Sequence, residues 1–172
     1  EGELSLRTEA YALAILARAE RPDVAAQRLL FDEMILHPGD DFAKAALAVA
    51  AHAVGDFSDR DALLASLLDL PGAVIEAAPT TLYDYGGVLR DQLAALALLV
   101  ESGLDETPGG EAFIAATLPA AIKALDGPYL STQERAWALR LAHGLAATAE
   151  PGTAPVLSLN GQPVAAGAAV AL

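Results

Sequence analysis

Residues 127–147 read GPYLSTQERAWALRLAHGLAA, and this stretch contains both the start and the apolar face of one predicted helix. Ser131 and Glu134 have the Ser-x-x-Glu spacing of a capping box, in which each side chain accepts a hydrogen bond from the other residue's backbone amide. Such a cap contributes about 1 kcal/mol to helix stability. Apolar residues then follow at intervals of four and form an inward stripe, namely Trp137, Leu141 and Leu145.

Apolar residues at helical spacing predict six more helices upstream, each with one apolar side. Pro22 is expected in the first turn of the second helix, Asp40 at the cap of the third and Ser58 at the start of the fourth. Gly103 is expected just beyond the fifth, and Pro119 should kink or restart the sixth. The segments are 4–19, 22–37, 40–55, 58–70, 87–102 and 110–125, and residues 73–86 are interpreted as extended or looped.

After Pro151 the pattern changes from helical spacing to alternation. PVLSLNGQPV (155–164) surrounds Asn160-Gly161, a strong signal for a tight hairpin. An isolated two-stranded hairpin is barely stable in water, so these strands are expected either to join a sheet formed elsewhere or to be held loosely here. The sequence thus predicts a helical part, 1–150, and a short β-strand return segment, 151–172. No fixed repeat period is found, so the helices are expected to form an array of antiparallel hairpins, open or closed into a ring.

Composition excludes several classes of function. The chain has 172 residues, a formal net charge of −13 and only 10 Lys and Arg. These values argue against binding to nucleic acid and against docking on anionic lipid. No apolar run reaches the roughly 18 residues that a membrane span needs. Cysteine is absent, so disulfides and thiolate metal sites are excluded. The start at Glu1, without Met or a signal-like segment, predicts a piece of a longer protein whose compartment signal lies outside it.

Two groups of residues could suggest a metal site. The sequence DFSDRD, with Asp56, Asp59 and Asp61, resembles a calcium loop only loosely, because it lacks the glycine and the terminal glutamate of such loops. Helix capping explains these acids better. The histidines are distributed over separate helices and a helix end, and we interpret them as surface or inter-helix residues: His37, His52 and His143. No metal or cofactor is therefore predicted.

Adjacent acids and one polar cluster are the remaining candidates for chemistry. A pair of carboxylates acting as acid and base must face each other across a cleft, and the sequence cannot place Asp40-Asp41 or Asp105-Glu106 in that way. The densest polar cluster is interpreted as joining a loop to a helix: Tyr83, Asp84, Tyr85, Arg90 and Asp91. No motif of a serine hydrolase, phosphate loop or dinucleotide fold is present. No catalytic residue is predicted, and the chain is not expected to be an enzyme.

Several segments, in this order, resemble the bacterial alpha-2-macroglobulin family. They are YDYGGVLRDQLAALALLVESG (83–103), YLSTQERAWALRLA (129–142) and LSLNGQPV (157–164), with EAYALAILAR (9–18) and AKAALAVAAHAVGD (43–56) upstream. The resemblance covers nearly the whole chain. Its most specific parts are Tyr-x-Tyr-Gly followed by Leu-Arg-Asp, and Leu-Ser-Thr-Gln-Glu followed by Ala-Trp.

The resemblance implies the later part of the thioester domain, an α/α-toroid of helical hairpins from which the chain returns to a neighbouring β-domain. Members of the family are large periplasmic proteins that trap proteases broadly, as a bacterial defence. It implies proteases as partners of the full-length parent, neighbouring β-domains in the same chain, and a penicillin-binding protein as a candidate partner. It also implies a periplasmic location, with lipid anchoring through the parent as a candidate.

One departure from the family limits what can be carried over. The family's Cys-x-Glu-Gln thioester belongs upstream of Glu1, and Thr132-Gln133-Glu134 lies elsewhere in a different order without a thiol. No thioester residue is therefore assigned, and this part is expected to be a structural fragment of an endopeptidase inhibitor. Two alternatives stay open. One is a free-standing helical scaffold for protein interactions, and the other is a toroid hydrolase that uses paired carboxylates such as Asp40 or Asp84.

Overall fold

The computed structural model describes residues 2–36, 41–68, 87–125 and 130–148, together with the short pairs 158–159 and 162–163. This part of the chain is all-α apart from those four residues. Its helices are α1 Gly2–Arg18, α2 Val24–Leu36, α3 Asp41–Val54, α4 Phe57–Leu68, α5 Gly87–Glu101, α6 Gly110–Leu125 and α7 Thr132–Thr148, with a 3-10 helix at Leu104–Glu106. Among these residues, no helix is both long enough and apolar enough to cross a membrane.

The odd-numbered helices pack side by side in chain order. Extensive contacts join α1 to α3, α3 to α5 and α5 to α7, and the contact between α3 and α4 is of similar extent to that between α3 and α5. We call these four helices the inner row. The even-numbered helices lie outside it: α2 contacts α1 and α3, α4 contacts α3, and α6 packs on the 3-10 helix and on the apolar side chains of α5 and α7. Alternate helices of the chain therefore occupy the same layer.

Ion pairs give the direction of the helices in the inner row. Near their starts, Arg7 of α1 lies 3.2 Å from Asp91 of α5. At their ends, Arg18 donates to Glu101 at 2.8 Å. The two pairs are about three helical turns apart on each helix, so α1 and α5 run parallel. Contacts from Arg90 to Gln133 and from Arg140 to Glu101 place α7 parallel to α5 in the same way.

Helix α3 is enclosed by its neighbours. Nine consecutive residues are buried, Ala43 to Ala51, whereas the sequence predicted one apolar side. That prediction is wrong because it treated α3 as a surface helix. The segment is rich in alanine, whose small side chain lets α1, α4 and α5 approach α3 from several directions. Even Lys44 is only 6% exposed.

The capping box of α7 is confirmed. The backbone amide of Ser131 donates to Glu134 Oε2 at 2.6 Å, and the amide of Glu134 donates to Ser131 Oγ at 3.1 Å. Glu134 is fully buried. The end of α5 is also confirmed, since Gly103 follows it with a left-handed φ of +74°. These signals are local in sequence, which is why the sequence alone contained them.

One prediction about a helix start is wrong. Helix α2 begins after Pro22, because Asp23 caps it by accepting from the amide of Ala26 at 3.0 Å. Helix α4 begins at Phe57, so Ser58 lies at its start as expected, and Asp56 caps it by accepting from the amide of Asp59 at 3.3 Å. Helix α6 continues through Pro119, so the restart offered as one alternative is wrong, while the kink stays a prediction. Pro119 is exposed, so water can solvate the carbonyl that it leaves without a helical partner.

The β-hairpin of the C-terminal segment stays a prediction. Ser158–Leu159 and Gln162–Pro163 pair antiparallel, with Ser158 opposite Pro163 and Leu159 opposite Gln162. Two residue pairs do not establish a hairpin packed in a sheet, and the predicted turn at Asn160-Gly161 lies outside the described residues. The predicted cap at Asp40 and the loop at 73–86 lie outside them as well.

Candidate functional site

Three aromatic side chains from different helices meet inside the inner row. Tyr11 of α1 lies 5.6 Å from Phe42 of α3 and 6.1 Å from Trp137 of α7, measured between ring centroids. Phe42 and Trp137 are 6.1 Å apart and meet edge to face, a favourable geometry for aromatic rings. We call these residues the aromatic trio. Because α1 and α7 are the first and last helices of the row, the trio brings side chains from its two ends into contact.

Two arginines lie against the rings of the trio. The guanidinium of Arg7 is 4.3 Å from the centroid of Phe42. The guanidinium of Arg140 is 4.8 Å from the centroid of Trp137, and its Nη1 donates to the hydroxyl of Tyr11 at 3.0 Å. Cations over aromatic faces are attracted by the ring quadrupole. Each arginine therefore has two roles, because it forms an ion pair and also stabilises the aromatic trio.

Glu101, at the end of α5, joins this helix to the end of α1 and to the middle of α7. Arg140 donates to it twice, from Nε to Oε1 at 2.6 Å and from Nη2 to Oε2 at 2.7 Å. Arg18 of α1 donates to Oε2 at 2.8 Å. The hydrogen bonds to Glu101 raise the pKa of Arg140 above its ordinary value, against the opposing effect of burial. We call Arg18, Glu101 and Arg140 the Glu101 clamp.

A pocket of about 360 Å³ opens beside the Glu101 clamp, where the four helices of the inner row end. Its polar lining comes from α1, α3, α5, the 3-10 helix and α7, and comprises Arg18, His52, Glu101, Asp105, Glu106 and His143. This volume is in the range of small-molecule sites. Most of the charged groups around it are already held by partners in the protein.

Arg60 of α4 is the buried cation behind this pocket. It donates from Nε to Asp61 and from Nη1 to Glu106, both at 2.8 Å. The hydrogen bonds of these two carboxylates raise the pKa of Arg60, although burial, the largest single effect, lowers it. Nη1 also lies 3.1 Å from His52 Nδ1. Because arginine only donates, Nδ1 accepts and the proton of the His52 ring is on Nε2.

The structure brings some of the sequence candidates together and separates others. His52 and His143 line the same pocket although they belong to α3 and α7, and Asp105 of the 3-10 helix lines it as well. Asp56 caps α4. Asp41 is exposed at the start of α3. Other candidates lie outside the described residues, namely His37, Asp40, Tyr83, Asp84 and Tyr85.

The polar pair at the start of α5 connects helices, whereas the predicted junction with a loop lies outside the described residues. Asp91 accepts from Arg90 Nε at 2.8 Å and from Arg7 of α1 at 3.2 Å. Asp91 and Glu101 are therefore each bound by arginine, and they lie at opposite ends of α5. General acid–base catalysis needs two carboxylates that face each other across a substrate. This arrangement instead fixes the positions of α1, α5 and α7.

The side chains that the structure describes contain no group of three or more histidines and acids placed to hold a metal ion. Comparison with known proteins gives no match to a family model, a curated protein or a solved structure. The similarity to the alpha-2-macroglobulin family therefore stays a prediction from the sequence.

Neither the Glu101 clamp nor the role of Arg7 was predicted from the sequence. A signal was nevertheless present, because each of these arginines directly adjoins a residue of an apolar stripe. Arg7 follows Leu6, Arg18 follows Ala17, and Arg140 precedes Leu141. A charged residue beside an inward stripe is close enough to the interior to reach a buried partner with its long side chain.

Proposed function

We propose that this chain is a non-catalytic helical module of a bacterial alpha-2-macroglobulin-like protease inhibitor, and that it forms part of an α/α-toroid there. The observation that carries the proposal is the packing order of the inner row. Helix α1 packs against α3, α3 against α5 and α5 against α7. Ion pairs and one hydrogen bond between side chains show that α1, α5 and α7 are parallel. Helical hairpins laid side by side around a ring place alternate helices in one inner layer in this manner.

The outer faces of the terminal helices of the row also support a longer ring. Leu139 of α7 is 72% exposed, and Ile15 and Leu16 of α1 are 45% and 38% exposed. These residues lie on the first and last helices of the row, on sides that the described helices leave exposed. Further helices of a toroid would cover them, which removes apolar surface from water.

The role proposed for the module is mechanical. Its central charges are paired within the protein, so it supplies a rigid body that holds neighbouring domains while a cleaved bait segment lets the parent rearrange. Glu134 supports this reading, because its carboxylate is used for the cap of α7 and is fully buried. Proteases, β-domains and a penicillin-binding protein as partners, and a periplasmic location, are parts of the same proposal.

The test uses the full-length product of the gene that encodes this chain. The parent is mixed with a protease, and cleavage of a large protein substrate and of a small peptide substrate is measured. A trap encloses the protease, so cleavage of the large substrate should fall strongly while small peptides still reach the active site. Equal inhibition of both substrates, or inhibition of neither, would refute the proposal.

The alternative of a toroid hydrolase gains no support from the described residues. It needs two free carboxylates facing each other, whereas Asp91 and Glu101 are bound by arginines at opposite ends of α5. The acids that the sequence offered for this role, Asp40 and Asp84, lie outside the described residues.

A further inference from the structure

One nitrogen of Arg60 has two acceptors that belong to different elements of the fold. Nη1 donates to Glu106 Oε2 of the 3-10 helix at 2.8 Å and lies 3.1 Å from His52 Nδ1 of α3. The hydrogens of this nitrogen are therefore shared between a carboxylate and a neutral imidazole. We call His52, Arg60 and Glu106 the Arg60 junction. It connects α3, α4 and the 3-10 helix.

The two acceptors of the Arg60 junction lie close to each other as well as to Arg60. A Cβ atom added at Gly103 would lie 2.9 Å from His52 Cε1 and 3.0 Å from Glu106 Oε2, so ring and carboxylate border the same small space. Cε1 is bonded to Nδ1, the ring nitrogen that faces Arg60. The side chain of Glu106 is 56% exposed and has room to move, whereas that of Arg60 is 6% exposed and is held in place.

A proton on Nδ1 would remove the acceptor that His52 offers to Arg60. Histidine is the side chain that gains a proton between about pH 8 and pH 5, and both of its ring nitrogens are then donors. Two cationic donors would in that case face each other across 3.1 Å and repel. The carboxylate of Glu106 can accept from either of them. Protonated His52 therefore competes with Arg60 for Glu106.

The other charged groups around His52 come from the elements packed around this end of α3. They are Arg18 of α1, Asp61 of α4 beside Arg60, Glu101 of α5, Asp105 of the 3-10 helix and His143 of α7. Glu101 is already bound by arginines from α1 and α7, and no described residue of α2 lines the pocket. Asp105 adds a second carboxylate to the 3-10 helix, so an imidazolium on α3 is attracted toward that helix.

We propose that the Arg60 junction is a pH-sensitive switch, in which Glu106 changes its partner from Arg60 to His52 when the ring of His52 takes up a proton from solvent. In the neutral form, α4 holds the 3-10 helix through Arg60. In the protonated form, His52 Nδ1 donates to Glu106, so α3 holds the 3-10 helix while Arg60 keeps Asp61. The change would reach α6, which packs on the 3-10 helix. This inference does not rest on the toroid proposal.

A double-mutant cycle on the whole chain tests whether His52 and Glu106 pair directly. Urea unfolding of wild type, His52→Asn, Glu106→Gln and the double variant is measured at about pH 8 and at about pH 5. Asparagine keeps an acceptor the same number of bonds from the backbone as Nδ1 but gains no proton, and glutamine keeps an acceptor without the charge. We expect the coupling, as a factor in the unfolding equilibrium constant, to be about fivefold larger at the lower pH.

Nitrogen-15 NMR of the histidine rings gives a second readout that needs only the wild-type chain. At about pH 8, His52 should be the tautomer with its proton on Nε2. On acidification, the amide signals of 103–106 should shift with the same midpoint as the His52 ring. His52→Asn should abolish this shift. His143→Asn is the matched control, because His143 is exposed and lines the same pocket, and it should leave the shift in place.

Three outcomes would overturn the proposal. The first is a coupling between His52 and Glu106 that is equal at both pH values, because the two residues would then interact only through Arg60. The second is a proton on His52 Nδ1 at the higher pH, since Arg60 could not donate to it. The third is a shift of the amides of 103–106 that persists in His52→Asn and disappears in His143→Asn, which would assign the titration to the other histidine.

Discussion

Gly103 follows the end of α5, where three side chains leave no space for a larger residue. A Cβ atom added there would lie 2.9 Å from His52 Cε1, 3.0 Å from Glu106 Oε2 and 3.2 Å from Arg60 Nη1. Its φ of +74° is also unfavourable for any residue with a Cβ. The glycine therefore permits both the turn and the close approach of the buried Arg60 network.

Gly55 separates these two effects, because its φ is +78° and a Cβ added there would meet nothing within 4 Å. We expect Gly55→Ala to cost about 1 kcal/mol through backbone strain. Gly103→Ala should cost more, by about 1 to 3 kcal/mol, because the side chains around it must move. Urea unfolding of both variants measures the difference. Equal costs would show that the contacts at Gly103 contribute nothing.

Asp59 gives a prediction with a defined dependence on pH. Its pKa is raised by burial and by neighbouring acids, so the charged form destabilises the folded protein. Asp59→Asn removes that charge and should raise the free energy of unfolding at pH 7, by less than about 1 kcal/mol because the site is partly solvated. Below the ordinary value of 3.8, the wild-type carboxyl is protonated in both states and the advantage should disappear.

Thermal melts of wild type and Asp59→Asn between about pH 3 and pH 7 measure how the stability difference between them depends on pH. This range includes the ordinary pKa of a carboxyl. Asp61→Asn is a less suitable control, because Asp61 pairs with Arg60. Glu33→Gln, on an exposed part of α2, is a better one, because it removes one negative charge from a position outside that ion pair. An advantage of Asp59→Asn that persists unchanged at low pH would contradict the explanation.

At the scale of the helix, the ends are set by caps that the chain encodes locally. Ser131→Ala should destabilise the protein by about 1 kcal/mol, because the amide of Glu134 loses its acceptor at the start of α7. Ser58→Ala is the matched control, since Ser58 is exposed and α4 is capped by Asp56 instead. Denaturant unfolding compares the two variants. A larger loss for Ser58→Ala would mean that the caps have been assigned wrongly.

Features of single helices could be predicted from the sequence, whereas contacts between helices could not. The capping box, the glycine after α5 and the stripe Leu89, Leu93, Leu96 and Val100 were all predictable, because each signal lies within a few residues and the stripe is buried as expected. The burial of α3 and the Glu101 clamp were not, because they depend on which helices become neighbours. Arg140 and Tyr11, for example, are 129 positions apart in the chain.

Exposed residues within the predicted stripes make the same point. Helical spacing groups Ile15 with the apolar residues of α1 and Ile35 with those of α2, yet both are exposed. Helical spacing predicts which residues share a side of a helix, but it does not give the width of the side that neighbours cover. That width depends on the contacts of the assembled row.

At the scale of the molecule, the aromatic trio makes a prediction about cooperativity. Trp137 is the single tryptophan of the chain, and it contacts Tyr11 of α1 and Phe42 of α3. Its fluorescence should therefore report the unfolding of the whole inner row. We expect the midpoint of thermal unfolding from fluorescence to equal the midpoint from far-ultraviolet circular dichroism, as in a two-state transition.

Tyr11→Ala tests whether the trio couples the ends of the row. It removes the ring that Trp137 and Phe42 contact and the hydroxyl that accepts from Arg140. Both midpoints should fall together, by an amount corresponding to about 2 to 4 kcal/mol. Two separate midpoints in the wild type, or a fall in the fluorescence midpoint alone, would show that α7 unfolds independently of the rest.

The enclosure of α3 has a mechanical consequence for the whole row. A helix that neighbours touch on several sides cannot rotate or slide without displacing them. A displacement of α1 would accordingly be transmitted to α5, because the close-packed alanines of α3 lie between the two helices. Helix α3, which has few reactive side chains, therefore keeps the neighbouring helices in fixed positions relative to one another.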